Sequence, residues 1–197
     1  MFIRSFDKGQ LTRIFLFLLF IGAPFIDAMN GYLVLNGISS EGGSGSIGQI
    51  YRLFMFCLSF LIIGCSRKLV FLFFIFSYFF ILEVTGFLLH KESAGFFIGI
   101  IYANKILYII SIFYALTKAV EMLGQKYVIR IFLYSSVLYA FILLGTTLIG
   151  INSPTYANGG GTKGVFASGN GLSIFLGAAS IIAYSSYCQN KDRMYLY

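Results

Sequence analysis

Residues 69–89 read LVFLFFIFSYFFILEVTGFLL, an apolar run broken by one charge, Glu83, and bracketed by Arg67 and Lys68 on one side and His90 and Lys91 on the other. About 20 consecutive apolar residues are what an α-helix needs to cross a hydrocarbon core of roughly 30 Å. The run is too long for a barrel strand, and it lacks the alternation that separates a lipid face from a lumen. It therefore predicts a transmembrane helix.

Working outward, the same pattern recurs at Leu11 to Leu35, Ile47 to Cys65, Phe96 to Leu116, Val128 to Ile149 and Leu172 to Tyr187. The expected fold is all-α: a multi-span transmembrane bundle of about six helices, forming a single domain over residues 1–197 with both termini cytoplasmic. Composition agrees, because 58% of the 197 residues are hydrophobic, only 11% are charged, and Phe and Tyr number 23 and 14. A soluble domain of this size needs far less apolar surface. The first run lacks a small-residue cleavage site and is followed by further spans, so it reads as a retained anchor rather than a removable signal. No internal repeat or low-complexity tail divides the chain.

The net charge of +7 does not point to nucleic acid, since the cations sit in short loops beside apolar spans instead of in a stripe with exposed aromatics. Arg4, Lys8, Arg13, Arg67, Lys68, Lys118, Lys126, Arg130, Lys191 and Arg193 fall on one side of the predicted spans, against Lys91 and Lys163 on the other. The positive-inside rule puts the larger set in the cytoplasm. The glycine-rich loops Asn36 to Gly48 and Asn152 to Gly171 then face outward, in the position most open to function. Cys57, Cys65 and Cys188 have neither metal-ligand spacing nor the even count of a disulfide framework, and they read as packing residues. His90 likewise has no partners in a zinc pattern, so no metal is expected. Tyr32, Tyr51 and Tyr156 are placed for an interfacial aromatic belt.

Apart from Arg13 and Arg130 at the cytoplasmic ends, four charges fall inside the spans: Asp27, Arg52, Glu83 and Lys105, all in the outer half. A lone charge at mid-membrane costs at least about 2.5–3.5 kcal/mol, so these groups should face protein and seek partners. Two readings stand: a mutually neutralising ion-pair network with snorkelling, or a substrate pocket in which Lys105, preceded by Asn104, is the hardest to explain structurally.

The loop into the last span, Gly159-Gly160-Gly161-Thr162-Lys163-Gly164-Val165-Phe166-Ala167-Ser168-Gly169-Asn170-Gly171, is not a Walker A motif. Leu172 to Tyr187 covers only about 24 Å at helical rise, so either the helix starts near Val165 or Ser168 to Gly171 dips into the membrane. The second case would point free N–H groups and a positive dipole end outward, at an anion. Spacing favours a simpler account, with Ser168 or Asn170 an N-cap and the glycines a surface loop.

Two stretches, Pro24-Phe25-Ile26-Asp27-Ala28-Met29-Asn30-Gly31 with Ser46-Ile47-Gly48-Gln49-Ile50-Tyr51-Arg52, and Gly161 through Ser173, resemble the N-terminal half of bacterial O-antigen ligases and polysaccharide repeat-unit polymerases. In that family a similar Asp-x-x-Asn-Gly ends the first span, an Arg begins the next, and Lys-Gly-x-Phe-x-x-Gly-Asn opens a later helix. The resemblance implies surface polysaccharide assembly: glycosyl transfer from an undecaprenyl-diphosphate-linked oligosaccharide at the outer face of the bacterial cytoplasmic membrane, with no cofactor. It implies that Arg52, Lys105, Lys163, Ser168 and Asn170 bind diphosphate or glycan while Asp27 and Glu83 position the cations; it assigns no catalytic residue. Members of the family carry further spans and a long outward loop, so the resemblance also implies a truncated or split polymerase whose missing spans come from a second chain. The competing expectation is a non-enzymatic multi-pass protein, a small transporter subunit or an inactive remnant.

Overall fold

A computed structural model of the chain describes residues 7–39, 46–64, 66–91, 93–151, 153–154 and 161–190. Arg4, Cys65, Asn152, Tyr156, Gly159, Gly160, Lys191 and Arg193, named above, lie outside the described residues. Six helices make up most of the rest: α1 (Lys8–Leu35), α2 (Ile47–Ile63), α3 (Arg67–His90), α4 (Ser93–Leu123), α5 (Gln125–Leu148) and α6 (Gly169–Asn190). Among the described residues the β structure is one isolated bridge, Pro154 to Thr162. The chain is an all-α, multi-span membrane protein, as the apolar runs predict.

Five of the helices are long and apolar enough to cross a membrane. The sixth, α2, has 17 residues, or about 25 Å at helical rise, the short end of what spans a bilayer. Gly64, at a φ of +63°, stops it. Conversely α4 runs on past its predicted end at Leu116 to Leu123, because Thr117, Lys118 and Glu121 form a water-compatible last turn closed by a Lys118–Glu121 pair at 3.0 Å. Gly124, with φ +86°, alone separates it from α5. In α6 the helix starts at Gly169, between the two alternatives the sequence left open, and its 22 residues reach about 33 Å.

Helix α1 is α-helical at Lys8–Leu16 and Ala23–Leu35, with a π-helical segment at Phe17–Gly22 between them. Pro24 explains it: proline has no N–H to give the carbonyl four residues back, and its ring crowds that turn. The Phe20 carbonyl, freed by the proline, is taken up from outside the helix, and the Leu18 carbonyl gains a second donor. Ser135 Oγ on α5 donates to the Phe20 carbonyl at 2.5 Å, and the Tyr51 hydroxyl on α2 donates to the Leu18 carbonyl, which also accepts the Ala23 N–H. Tyr51, half-buried, is thus a donor to the backbone of α1.

The exposed surface is greasy and the packed surface is small. Phe73, Phe74, Leu88, Ile109, Phe141, Ile174 and Ile181 are all more than half exposed, as side chains in lipid should be. Buried positions along α4 recur every fourth residue as Ala103, Leu107, Ser111, Ala115 and Ala119; all but Leu107 are the small side chains that let helices approach closely without a hydrophobic driving force. Buried Ser59 and Ser111 return their hydroxyl protons to carbonyls of their own helices, at 2.6 and 2.9 Å.

The chain forms two compact units, each discontinuous in sequence: Met1–Phe15 with Arg52–Met122, and Leu16–Tyr51 with Leu123–Tyr197. The first is centred on Phe15, Met55, Leu58, Leu72 and Leu107, with Thr12 donating to the Met122 sulfur at 3.6 Å. The second is strung on a file of rings in which Phe20 meets Phe132 at 5.6 Å, Phe132 meets Phe175 at 4.9 Å, and Phe175 meets Tyr139 at 4.9 Å.

Replacing Ser135 with Ala should lower stability by about 0.6 kcal/mol, the average for a hydrogen bond between membrane helices, and by no more than about 1.7 kcal/mol. Most of that loss should vanish in a Pro24→Ala background, where residue 24 regains the N–H that Phe20 lacks. Thermal unfolding of the single and double variants in detergent checks this; additive losses would refute the account of the π turn.

Candidate functional site

The second unit brings together the two stretches on which the family resemblance rests. Asp27 lies half-buried on α1 and accepts the Tyr139 hydroxyl of α5 at 2.5 Å. One turn along α1, Gly31 is buried beneath the backbone of Val165, Phe166 and Ala167: a Cβ there would overlap the Val165 carbonyl oxygen and come within 2.9 Å of the Ala167 nitrogen. Gly48, at the start of α2, faces the Asn30 amide, with room for a Cβ only 3.5 Å from its Cγ. Asn30 Oδ1 is sealed from solvent and has no hydrogen-bond partner among the described residues.

The segment across Gly31 is held by its own bonds. Val165 N–H donates to Thr146 Oγ1 at 3.3 Å, and that hydroxyl donates to the Ile142 carbonyl at 2.8 Å. Ser153 and the segment exchange backbone bonds, Ser153 N–H to the Gly164 carbonyl and Lys163 N–H to the Ser153 carbonyl, both at 3.2 Å. Gly164 is required twice over: its φ is +56°, and a Cβ would stand 2.7 Å from Thr146 Oγ1. Phe166 is buried, with its ring centroid 5.4 Å from that of Tyr139. The ring file therefore ends on the segment, and the same Tyr139 links the segment to Asp27.

Lys163 is half-buried and donates to the Ala167 carbonyl at 2.9 Å. An ammonium carries three donors, so this bond ties the side chain over the turn and leaves capacity for an anion. Ser168 Oγ accepts the Gly171 N–H at 3.3 Å, the N-cap role that spacing favours, and Ser168 and Asn170 are both exposed at the first turn of α6. Lys163, Ser168, Asn170 and Asp27 thus belong to one unit.

Arg52, Glu83 and Lys105 belong to the other. Arg52 is exposed on α2. The Glu83 carboxylate of α3 lies against Gly99 of α4, in the space a Cβ would take. Lys105 is exposed, with Nζ 4.8 Å above the ring of Tyr102 one turn earlier. No ion pair joins these three within their unit; among the described residues the one ion pair is Lys118–Glu121. The expected network of mutually neutralising charges is replaced, inside each unit, by uncharged partners. A phenol, a glycine-lined contact and a ring face accommodate Asp27, Glu83 and Lys105 without a second charge to desolvate.

Sequence reasoning missed Tyr139, Thr146 and Ser135. Tyr139 is one of 14 tyrosines and carries no local mark. Ser135 and Thr146 interrupt an apolar run, and that interruption was the available signal. Comparison of the chain with protein-family models, curated proteins and solved structures finds no match.

Gly31→Ala should dislodge the Val165 to Ala167 segment, because the obstacle is backbone and no rotamer change relieves it; overpacking of this kind costs about 1–3 kcal/mol. Gly145→Ala, where a Cβ meets open space, should be tolerated. Equal melting temperatures for the two variants would contradict the close approach at Gly31.

Proposed function

We propose that this chain serves surface polysaccharide assembly, binding an undecaprenyl-diphosphate-linked oligosaccharide at the outer face of a bacterial cytoplasmic membrane for glycosyl transfer of the O-antigen polymerase or ligase type. One observation carries the reading. The stretches Asp27 to Gly31 and Lys163 to Ser168, remote in sequence and the two that resemble that family, pack on each other through Gly31 and meet again through Tyr139.

In such a transfer an acceptor hydroxyl attacks the anomeric carbon and gives up its proton to solvent, the bond from that carbon to the diphosphate oxygen breaks, and undecaprenyl diphosphate departs with its negative charge. What the step needs from protein is cationic and N–H donors for the leaving group. Lys163, held at one N–H by the Ala167 carbonyl, and the first turn of α6 offer such donors side by side. Tyr139 fixes the Asp27 carboxylate by its hydroxyl, while Lys163 is held by the Ala167 carbonyl and not by an acid. The resemblance also assigns Arg52 and Lys105 to the substrate; each is exposed in its own unit, Lys105 over the ring of Tyr102.

Deleting the gene should shorten or abolish the surface polymer, and Lys163→Ala and Arg52→Ala, with the protein present at its usual level, should each reduce chain length on electrophoresis. A cysteine placed at 163 should react with a membrane-impermeant maleimide added to intact cells. A length distribution unchanged by deletion would overturn the proposal and favour a non-enzymatic multi-pass protein; labelling of position 163 only from the inside would remove the site from its substrate.

The Tyr139→Phe variant isolates the positioning role. It should insert normally yet lower polymer yield, by less than Lys163→Ala does, since the carboxylate loses its anchor and the anion site keeps its cation. Yield equal to that of the unaltered protein would exclude Tyr139 from the site.

A further inference from the structure

Three helix termini of the first unit meet at one end of it. Thr12, in the first turns of α1, reaches the Met122 sulfur near the end of α4, and Lys68, at the start of α3, holds its Nζ 5.4 Å above the ring of Tyr114 in the last turns of α4. Lys68 also acts electrostatically on Glu121, whose carboxylate is already paired with Lys118. The effect is to collect Lys8, Arg13, Arg67, Lys68 and Lys118 around a single end, against the carboxylates of Asp7 and Glu121. Lys8, Arg13, Arg67 and Lys118 are exposed. Directly beside these cations stand exposed apolar side chains: Ile14 next to Arg13, and Val70 and Phe71 just beyond Arg67 and Lys68.

We propose that this end is a binding site for the phosphate-bearing headgroup of an anionic membrane phospholipid, with the acyl chains lying along the apolar faces of α1 and α3. The argument has two parts. Cations outnumber acids at an exposed helix end, and Lys and Arg recognise phosphate oxygens by charge-assisted hydrogen bonds. The apolar residues continue straight from the charged rim, so a ligand that is anionic at one end and greasy at the other satisfies both surfaces. A soluble phosphate satisfies only the first. The site is independent of the glycan reading, because it uses none of the residues assigned there.

Full-length protein purified in neutral detergent is titrated with phosphatidylglycerol, with phosphatidylcholine and with inorganic phosphate, and bound lipid is read by native mass spectrometry. Phosphatidylglycerol should be retained in preference to phosphatidylcholine, and inorganic phosphate at matched ionic strength should not displace it. Arg67→Gln and Lys68→Gln should each weaken retention about fivefold, as expected for one surface cation facing anionic lipid. Lys91→Asn, which removes a charge beyond the opposite end of α3, should leave it unchanged. If a variant fails to fold, the unaltered protein still decides: rising salt should release phosphatidylglycerol and spare phosphatidylcholine. Equal retention of the two lipids, displacement by inorganic phosphate, insensitivity to salt, or an equal effect of Lys91→Asn would each overturn the site.

Discussion

Inside a hydrocarbon layer no water is present to take an unpaired N–H or C=O, so every backbone polar group must find its partner in the protein. That constraint organises what is otherwise an arbitrary set of greasy helices. At Pro24 one N–H is missing, and the chain answers with a π turn, the Ser135 hydroxyl on the Phe20 carbonyl and the Tyr51 hydroxyl on the Leu18 carbonyl. These bonds tie α1 to α5 and α2 at the level of the defect. The contact that satisfies the backbone is thus also the contact that assembles the second unit.

The same demand shapes the segment between α5 and α6. It is not helical, so its N–H groups need partners that a helix would have provided, and Thr146 Oγ1, the Ser153 backbone and the Lys163 carbonyl supply them. Gly31 then lets the satisfied segment lie directly on α1. Irregular backbone beside membrane helices is tolerated where it is buried in protein or lines a cavity, and here Val165 and Phe166 are buried. Such a segment carries a real cost in ordering, which gives its lysine and its helix start a defined place.

The spans were legible because lipid imposes a one-dimensional rule: an apolar run of sufficient length becomes a helix whatever its neighbours. Residues 69–89 satisfy that rule alone, and α3 covers them. Helix ends were less legible, since Gly64 and Gly124 stop helices through positive φ while Thr117 to Glu121 continue one through an ion pair outside the apolar window. In the site, Asp27 and Lys163 drew attention as rare charges, and the N-cap at Ser168 followed from spacing. Their partners did not. Tyr139 and Thr146 lie more than a hundred and about twenty residues from what they bind, and nothing local distinguishes a tyrosine that reaches a carboxylate from one that faces lipid.

The charges make the sharpest case for why composition alone misleads. Two acids and two bases in apolar spans suggest neutralisation by pairing, since a bare charge in lipid is costly. Pairing has its own desolvation cost, however, and a buried ion pair often gains little over neutral partners. The chain puts Asp27 under a phenol, Glu83 against a glycine and Lys105 over a ring. Each arrangement holds a charge without cancelling it. An ammonium kept in this way retains its field for something other than its neighbour, and a carboxylate so held stays clear of the cations of its unit.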